Sequence, residues 1–145
     1  MSVPVMTNVQ ESAQRLLKET GTVFLATMGD NDLPDVRAMA IAKAEGLKTV
    51  WMLTSTPSEK ITQLNSNVAC MLYAHTFGQS HDPLELRLWG NAEVLNDPKE
   101  LRVLWRDEMR VYFARGLQDP HIRIIKFTAN YVKVSTLSGF ETFGL

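Results

Sequence analysis

The sequence predicts an α+β fold in which most of the chain forms an antiparallel β-barrel with flanking helices. The predicted elements run helix, three strands, short helix, two strands, helix and one or two strands, without the steady strand-helix alternation of a parallel sheet. No Gly-x-Gly-x-x-Gly follows a predicted strand, and no phosphate loop ending in Gly-Lys-Ser/Thr occurs, so a classical nucleotide-binding fold is disfavoured. No linker or repeat divides the 145 residues, so residues 1–145 are predicted as one domain.

The first third of the chain predicts a helix followed by a hairpin. Residues 9–18 carry apolar side chains at helical spacing, and Gly21 is a plausible stop. Residues 22–28 are β-branched and apolar, residues 29–32 form a turn cluster, and residues 35–43 resume with alternating apolar side chains. We expect two antiparallel strands here.

The middle of the chain predicts a strand, a short helix and a second strand. Residues 49–54 are a dense strand-forming run, and residues 68–75 are typical of a buried strand. Between them, Thr56 is a candidate N-cap with Pro57 at the first helical position and Glu59 three residues after the cap. The polar residues 65–67 should end this helix.

The last part predicts a long bent strand, a helix and one or two further strands. Residues 76–83 are predicted as an exposed loop. Residues 84–95 alternate, with Gly90 a candidate bulge or close backbone approach. Asp97 and Pro98 indicate a helix start, the helix is predicted to run until Gly116, and residues 122–137 are β-rich.

Composition excludes several classes of function. The 15 lysines and arginines nearly cancel the 16 aspartates and glutamates, so a net charge of -1 provides no broad attraction for nucleic acid or anionic membrane. The single cysteine, Cys70, lies in an apolar strand and is interpreted as a buried thiol. No apolar run approaches the roughly 18 residues of a membrane span. We therefore expect a cytoplasmic protein without a membrane or nucleic-acid partner.

Hydroxyls and an ammonium group lie where the strand at 49–54 turns into the short helix. Backbone N–H groups at a helix start have no internal partner and point toward a bound anion together with the positive end of the helix dipole. Taken alone, a Ser/Thr-rich helix start is more often only a capped helix. The residues that could converge on a phosphate dianion are Thr54, Ser55, Ser58 and Lys60, with Arg37 on an adjacent strand adding a bidentate contact.

Four stretches, in this order, resemble one protein family. They are Pro34-Asp35-Val36-Arg37-Ala38-Met39-Ala40, Trp51-Met52-Leu53-Thr54-Ser55-Thr56-Pro57-Ser58-Glu59-Lys60, Gly90-Asn91-Ala92-Glu93-Val94, and the region from Trp105 through Tyr112-Phe113 and Gly116 to Asp119-Pro120. They are similar to the FMN-binding split barrels of the pyridoxamine 5′-phosphate oxidase-like group, and within it to the general stress protein type.

The resemblance implies both a cofactor and an assembly. It implies that Arg37 and Lys60 hold the phosphate of FMN and that the strand around Ala38 and Met39 lies along the isoalloxazine ring. It further implies a homodimer with the cofactor in a cleft between subunits, which the apolar strands at 49–53 and 68–72 also favour. The predicted cofactor-binding residues are Arg37, Ala38, Met39, Leu53, Thr54, Ser55, Ser58, Lys60 and Trp105.

Departures from the family pattern argue against true pyridoxamine-phosphate oxidation. Glu59 replaces a second basic residue before the phosphate lysine, Glu85 replaces a glutamine, and Ser135 replaces a flavin-contacting tryptophan. The last ten residues contain no arginine for a substrate phosphate. The predicted function is therefore a flavin-dependent oxidoreductase of unknown substrate, with no catalytic side chain assigned. The alternatives are a non-catalytic flavin-sequestering stress protein, or a barrel that binds haem or a deazaflavin.

The histidines do not predict a metal site. His75, His81 and Asp82 are close in sequence, but a zinc site needs three or four ligands on defined supports. We expect His75 to be a core or surface residue that could border the flavin cleft, and we expect no bound metal.

Overall fold

The computed structural model describes residues 8–76 and 83–145, and within them it has the predicted α+β architecture. The helices are α1 (Asn8–Thr20), α2 (Glu59–Ser66) and α3 (Pro98–Leu104). Short 3₁₀ turns occupy Asp30–Asp32, Asp107–Val111 and Gly116–Gln118. The strands are β1 (Thr22–Met28), β2 (Pro34–Glu45), β3 (Thr49–Ser55), β4 (Ala69–His75), β5 (Glu85–Leu95), β6 (Ile122–Thr136) and β7 (Gly139–Gly144).

Six antiparallel strands close into a barrel in the order β1-β2-β3-β6-β5-β4, and β4 returns to β1. The closing contact joins β3 to the first half of β6, from Thr49 opposite Thr128 to Ser55 opposite Ile122. The second half of β6 pairs with β7 instead. One long strand therefore closes the barrel and also carries the C-terminal hairpin.

Gly90 lies at an irregularity in the pairing of β5 with β6, which confirms its prediction as a bulge and a close approach. The pairing register shifts between Trp89 and Gly90. A Cβ atom at position 90 would lie 1.9 Å from the carbonyl oxygen of Thr128. Because that oxygen belongs to the backbone of the paired strand, only glycine fits here.

Two groups of buried side chains stabilise the fold. The larger fills the barrel and includes Leu25, Met52 and Phe127, with α1 covering one end through Ala13 and Leu17. The smaller group lies outside the barrel, where α3 and the following turns pack on β2, β3 and β6; it contains Ala42, Trp51, Leu53, Leu101, Leu104, Met109, Ile122 and Ile124. This second core fixes the wall of the cavity described below.

Helix α2 begins later than the sequence predicts. Its N-cap is Ser58, with extended backbone at φ −153° and ψ 155°, and Pro57 precedes the cap instead of following it. The predicted cap at Thr56 is therefore wrong. The predicted stop is confirmed, because the helix ends at Ser66.

Helix α3 is much shorter than predicted. Asp97 and Pro98 start it as expected, but Trp105 and Arg106 are extended and the helix ends at Leu104. Met109 lies in the following 3₁₀ turn and is buried in the second core. Tertiary packing thus overrides the helical pattern of residues 105–115.

The cap of α3 provides a test of local stability. The Asp97 carboxylate accepts hydrogen bonds from the backbone N–H groups of Lys99, at 3.0 Å, and Glu100, at 3.2 Å. We expect Asp97→Ala to lower the free energy of unfolding by about 1 kcal/mol, the typical value of an N-cap. Urea titration of this variant beside the exposed control Lys99→Ala measures the effect. Equal midpoints for the two variants would contradict a stabilising cap.

No helix within residues 8–76 and 83–145 has the length and apolarity needed to cross a membrane.

Candidate active site

One cavity of about 500 Å³ collects most of the predicted site residues. Its walls are β2, the end of β3, the start of α2 and the segment 106–113, which follows α3. This volume lies within the roughly 300–1,000 Å³ of typical small-molecule and cofactor sites. Seven of the nine predicted cofactor-binding residues line it: Ala38, Met39, Leu53, Thr54, Ser55, Ser58 and Lys60.

The end of the cavity at the β3–α2 junction is polar. Lys60 donates a hydrogen bond from Nζ to Thr54 Oγ1 at 3.2 Å. The Ser58 hydroxyl makes no capping bond to its own helix, and its buried oxygen has no hydrogen-bond partner among the described residues. A buried hydroxyl without a partner is costly, so this oxygen is suited to a ligand.

The Lys60 ammonium group is held in an environment that disfavours its charge. Burial, and secondly repulsion by the Arg37 guanidinium, lower the pKa of Lys60 below its ordinary value. An anion placed between these cations would relieve the repulsion and replace lost solvation. The electrostatics of this end therefore favour a bound anion.

The wall of the cavity that β2 and β3 form is apolar, and the side chains that β2 exposes there are small. Along β2, Ala38 and Ala40 expose small side chains to the cavity, while Met39 is buried. Leu53 adds a buried apolar surface from β3. Small side chains on an exposed strand leave room for a flat ring to lie against the backbone.

Arg37 lies behind this end of the cavity instead of in its wall. Its side chain is 19% exposed and does not appear among the described residues that line the cavity. One terminal nitrogen donates to Leu25 O at 3.2 Å and Thr27 Oγ1 at 2.7 Å; the other donates to Asp35 Oδ2 and Gln63 Oε1, both at 3.0 Å. Direct contact between Arg37 and a phosphate stays a prediction.

Trp105 does not line the cavity in the described part of the chain. It is the C-cap of α3, and its ring packs on Phe113 with 6.3 Å between centroids. Phe113 itself lines the cavity, so Trp105 supports the wall from behind. The helix expected to carry Trp105 toward Gly116 does not form.

The segment that closes the cavity was not predicted from the sequence as part of the site. Its lining residues are Arg106, Glu108, Met109, Tyr112 and Phe113. Tyr112 and Phe113 belong to a stretch that resembles the family, but nothing in the local pattern distinguished Arg106 from the other exposed arginines.

Arg106 fixes this segment to β2. Its guanidinium donates to Ala42 O at 2.8 Å and Ile41 O at 3.3 Å, where the pairing of β2 with β3 shifts register. An ion pair with Glu108, at 3.2 Å, holds the same side chain from its own turn. Arg106 therefore satisfies carbonyl groups that the irregular pairing leaves available.

Two predicted departures from the family lie opposite each other on neighbouring strands. Glu85 of β5 pairs with Ser135 of β6. Glu85 accepts a hydrogen bond from the Tyr73 hydroxyl at 2.7 Å and forms an ion pair with Arg87. Neither Glu85 nor Ser135 lines the cavity among the described residues.

The remaining reactive side chains lie elsewhere. His75 borders a separate groove between α1 and the β6–β7 turn, so it does not border the candidate site. Cys70 is buried, which confirms the expected buried thiol, and burial raises the pKa of this thiol to about 12. His81 and Asp82 fall outside the described residues, and the described ones contain no group of three metal-ligating side chains.

Comparison with known proteins identifies the family. Among solved structures, a protein from Clostridium acetobutylicum related to Bacillus subtilis general stress protein 26 is 26% identical, with a TM-score of 0.87 over 97% of each chain. General stress protein 26 of Bacillus anthracis has a TM-score of 0.74 and 20% identity over 96% of this chain and all 100% of its own. A haem-binding protein from Mycobacterium smegmatis has a TM-score of 0.75 and 14% identity over 97% of this chain and 60% of its own.

No curated protein matches the sequence. The sequence model of the family described as "Pyridoxamine 5′-phosphate oxidase like" matches residues 8–138, which span nearly the whole chain. The chain therefore belongs to the pyridoxamine 5′-phosphate oxidase-like family.

Proposed function

We propose that this chain binds FMN in the cavity between β2 and α2 and acts as a flavin-dependent oxidoreductase. One observation carries the proposal: the buried Ser58 hydroxyl, which has no hydrogen-bond partner among the described residues, and the Lys60 ammonium line one cavity whose other walls are largely apolar. A ligand with an anionic end and a flat apolar body matches this polarity. Proteins of this family typically carry flavin or haem. We propose the flavin because the stretches around Arg37 and Lys60 resemble the FMN-binding members of the group.

The residues present fit a flavin phosphate. Lys60 would supply a charged donor, while Thr54, Ser55 and Ser58 would supply hydroxyls beside the N-terminal end of α2. Ala38, Met39 and Leu53 would contact the ring system. The Arg106 guanidinium would keep its hydrogen bonds to the carbonyl groups of β2 and would not contact the phosphate.

The protein's own contribution is binding and orientation. Bound FMN supplies the capacity to transfer a hydride or single electrons. The apolar walls exclude water from the ring, and Lys60 and Ser58 fix its phosphate end. The flavin is proposed to carry the redox chemistry, and no proton-transfer role is assigned to the side chains that line the cavity.

The exposed apolar face of the fold next to the cavity also supports a homodimer. Val36 is 62% exposed and Tyr112 is 69% exposed, beside the small side chains of Ala38 and Ala40. A second copy would cover this apolar surface and close the cleft. The apolar residues of β3, by contrast, are buried within one chain, so they do not support association as expected. Light scattering should give twice the monomer mass, and a monomer with bound flavin would contradict the dimer.

The absorption spectrum of the purified protein distinguishes the candidate cofactors. We expect the two visible bands of an oxidised flavin, and FMN by mass after release with denaturant. A Soret band would instead indicate haem, the ligand named for the mycobacterial relative. If bound flavin is not turned over by NAD(P)H or another reductant, the sequestering function gains support over the oxidoreductase.

FMN affinity should fall at alkaline pH. The phosphate binds the charged form of Lys60, so the contribution of Lys60 to affinity is fully present below the pKa of this group in the ligand-free protein and is lost as pH rises through it. Because burial and Arg37 lower that pKa, the decline should begin at a lower pH than for an exposed lysine. Equilibrium titrations across alkaline pH measure this, with Lys60→Met as the control that should lack the decline. The same profile in both proteins would contradict the assignment.

The protein should not oxidise pyridoxamine 5′-phosphate. This substrate brings a second phosphate dianion, which needs cationic partners in a partly dehydrated site. The last ten residues provide only Glu141 as a charged side chain. An assay with excess FMN and oxygen should show no robust product, whereas turnover at roughly 1 per second or faster, ordinary for an enzyme, would contradict the prediction.

A further inference from the structure

The polar contacts behind the cavity connect three elements through one amide side chain. Gln63 lies on α2, one turn after Lys60. Its oxygen accepts from Arg37 at 3.0 Å and from Thr27 at 2.5 Å, and its nitrogen donates to Asp35 at 3.3 Å. The helix that carries Lys60 and the N-cap is thereby fixed to both strands of the first hairpin.

The partners of Gln63 are themselves fixed. Thr27 is 2% exposed, and its hydroxyl receives a hydrogen bond from Arg37 while it donates to Gln63. Arg37 is paired with Asp35 at 3.0 Å. The hydrogen bond from Gln63 is also the largest cause, ahead of the Arg37 charge, that holds the pKa of Asp35 below its usual value. Such a fully connected group has little freedom to rearrange.

Resting on the proposed function, we propose that Gln63 is a positioning residue for phosphate recognition. With Arg37, Thr27 and Asp35 it sets where the start of α2 lies, and so where Lys60 and Ser58 meet the phosphate. In this arrangement Arg37 links Gln63 to the hairpin, because the two terminal nitrogens donate to acceptors on β1, β2 and α2. Specificity for a phosphorylated flavin thus depends on a residue outside the cavity wall.

The test compares FMN with riboflavin, which lacks the phosphate. The measured quantity is the FMN preference, the riboflavin Kd divided by the FMN Kd. Gln63→Leu should lower this preference at least about fivefold, the scale of coupling between residues in one network. The matched control Asn65→Leu, exposed on the same helix, should lower it by less. A loss below fivefold in Gln63→Leu would overturn the proposal, and Thr27→Val repeats the test if that variant does not fold.

A second comparison shows whether Gln63 acts through the start of α2. In a Lys60→Met background, Gln63→Leu should change the logarithm of the preference by less than half of its effect in the wild type. An undiminished effect would mean that another phosphate ligand, such as Arg37, is being moved, and would overturn the stated role.

Failure of the proposed function has a different signature. If the wild type binds neither flavin, the FMN site is wrong, and ligand-free protein then decides the positioning claim. The equilibrium constant of unfolding is measured for Gln63→Leu, Arg37→Lys and the double variant. The effect of the double variant should differ at least about threefold from the product of the two single effects. Smaller coupling would show that the four side chains do not hold α2 as a unit.

Discussion

Replacing Lys60 by methionine should weaken FMN binding by about 1.5–3 kcal/mol, the scale of a hydrogen bond to a charged group. This corresponds to a Kd about 10 to 150 times higher. Methionine retains much of the aliphatic stem of the side chain but removes the ammonium group that donates to Thr54 in the cavity that Ser58 also lines. Riboflavin affinity should change far less, because riboflavin has no phosphate for Lys60 to contact.

Fluorescence titration of the apoprotein with both flavins measures these changes. The matched control is Arg102→Ala, which removes one positive charge from the exposed face of α3. It should leave both Kd values close to those of the wild type. If Lys60→Met and Arg102→Ala bind FMN equally well, the phosphate does not lie at the start of α2.

Replacing Gly90 by alanine should lower the free energy of unfolding by about 3 kcal/mol or more, at or beyond the upper end of typical overpacking costs. The added methyl group would lie 1.9 Å from Thr128 O and 2.9 Å from Ala129 Cα. Both atoms belong to the backbone of β6, which cannot move aside without breaking its pairing with β5. The cost therefore exceeds that of crowding a flexible side chain.

Urea unfolding of Gly90→Ala measures this cost, and Gly144→Ala is its control. At position 144 the nearest atom to an added Cβ is Asn130 O, at 3.9 Å, which is an ordinary contact. Its stability should stay within about 0.5 kcal/mol of the wild type. Similar unfolding midpoints for the two variants would show that β5 and β6 can separate at the bulge.

The strands could be predicted because their local pattern agrees with their packing. In β1, Val23, Leu25 and Thr27 point inward and are buried, as the period of two requires. Gly90 was identifiable for the same reason, since a lone glycine in an alternating strand indicates a close approach. The order of the elements already favoured an antiparallel barrel, and the resemblance to the family supported the same fold.

The extent of the second core could not be predicted from local sequence. Residues 105–113 are compatible with a helix, but Met109 must reach the surface of the barrel at Trp51 and Leu53 to be buried. That requirement concerns contacts more than fifty residues apart in sequence. The start of α2 was also predicted at the wrong residue, because Thr56 and Ser58 are both acceptable N-caps by residue type.

The role of Arg37 also depends on contacts that sequence does not reveal. Its position on β2 beside the hydroxyl-rich turn predicted a bidentate contact with the phosphate, which stays a prediction. In the structure, acceptors from β1, β2 and α2 surround that guanidinium. A basic residue near a site can thus support the site's framework, and only the positions of its acceptors distinguish the two roles.

A crystal structure of the chain with bound FMN tests the central claim most directly. We predict that the phosphate lies within hydrogen-bonding distance of both Lys60 Nζ and Ser58 Oγ, with the ring system against Ala38 and Met39 of β2. A flavin bound elsewhere, for example with its phosphate in the groove beside His75, would contradict the proposed site.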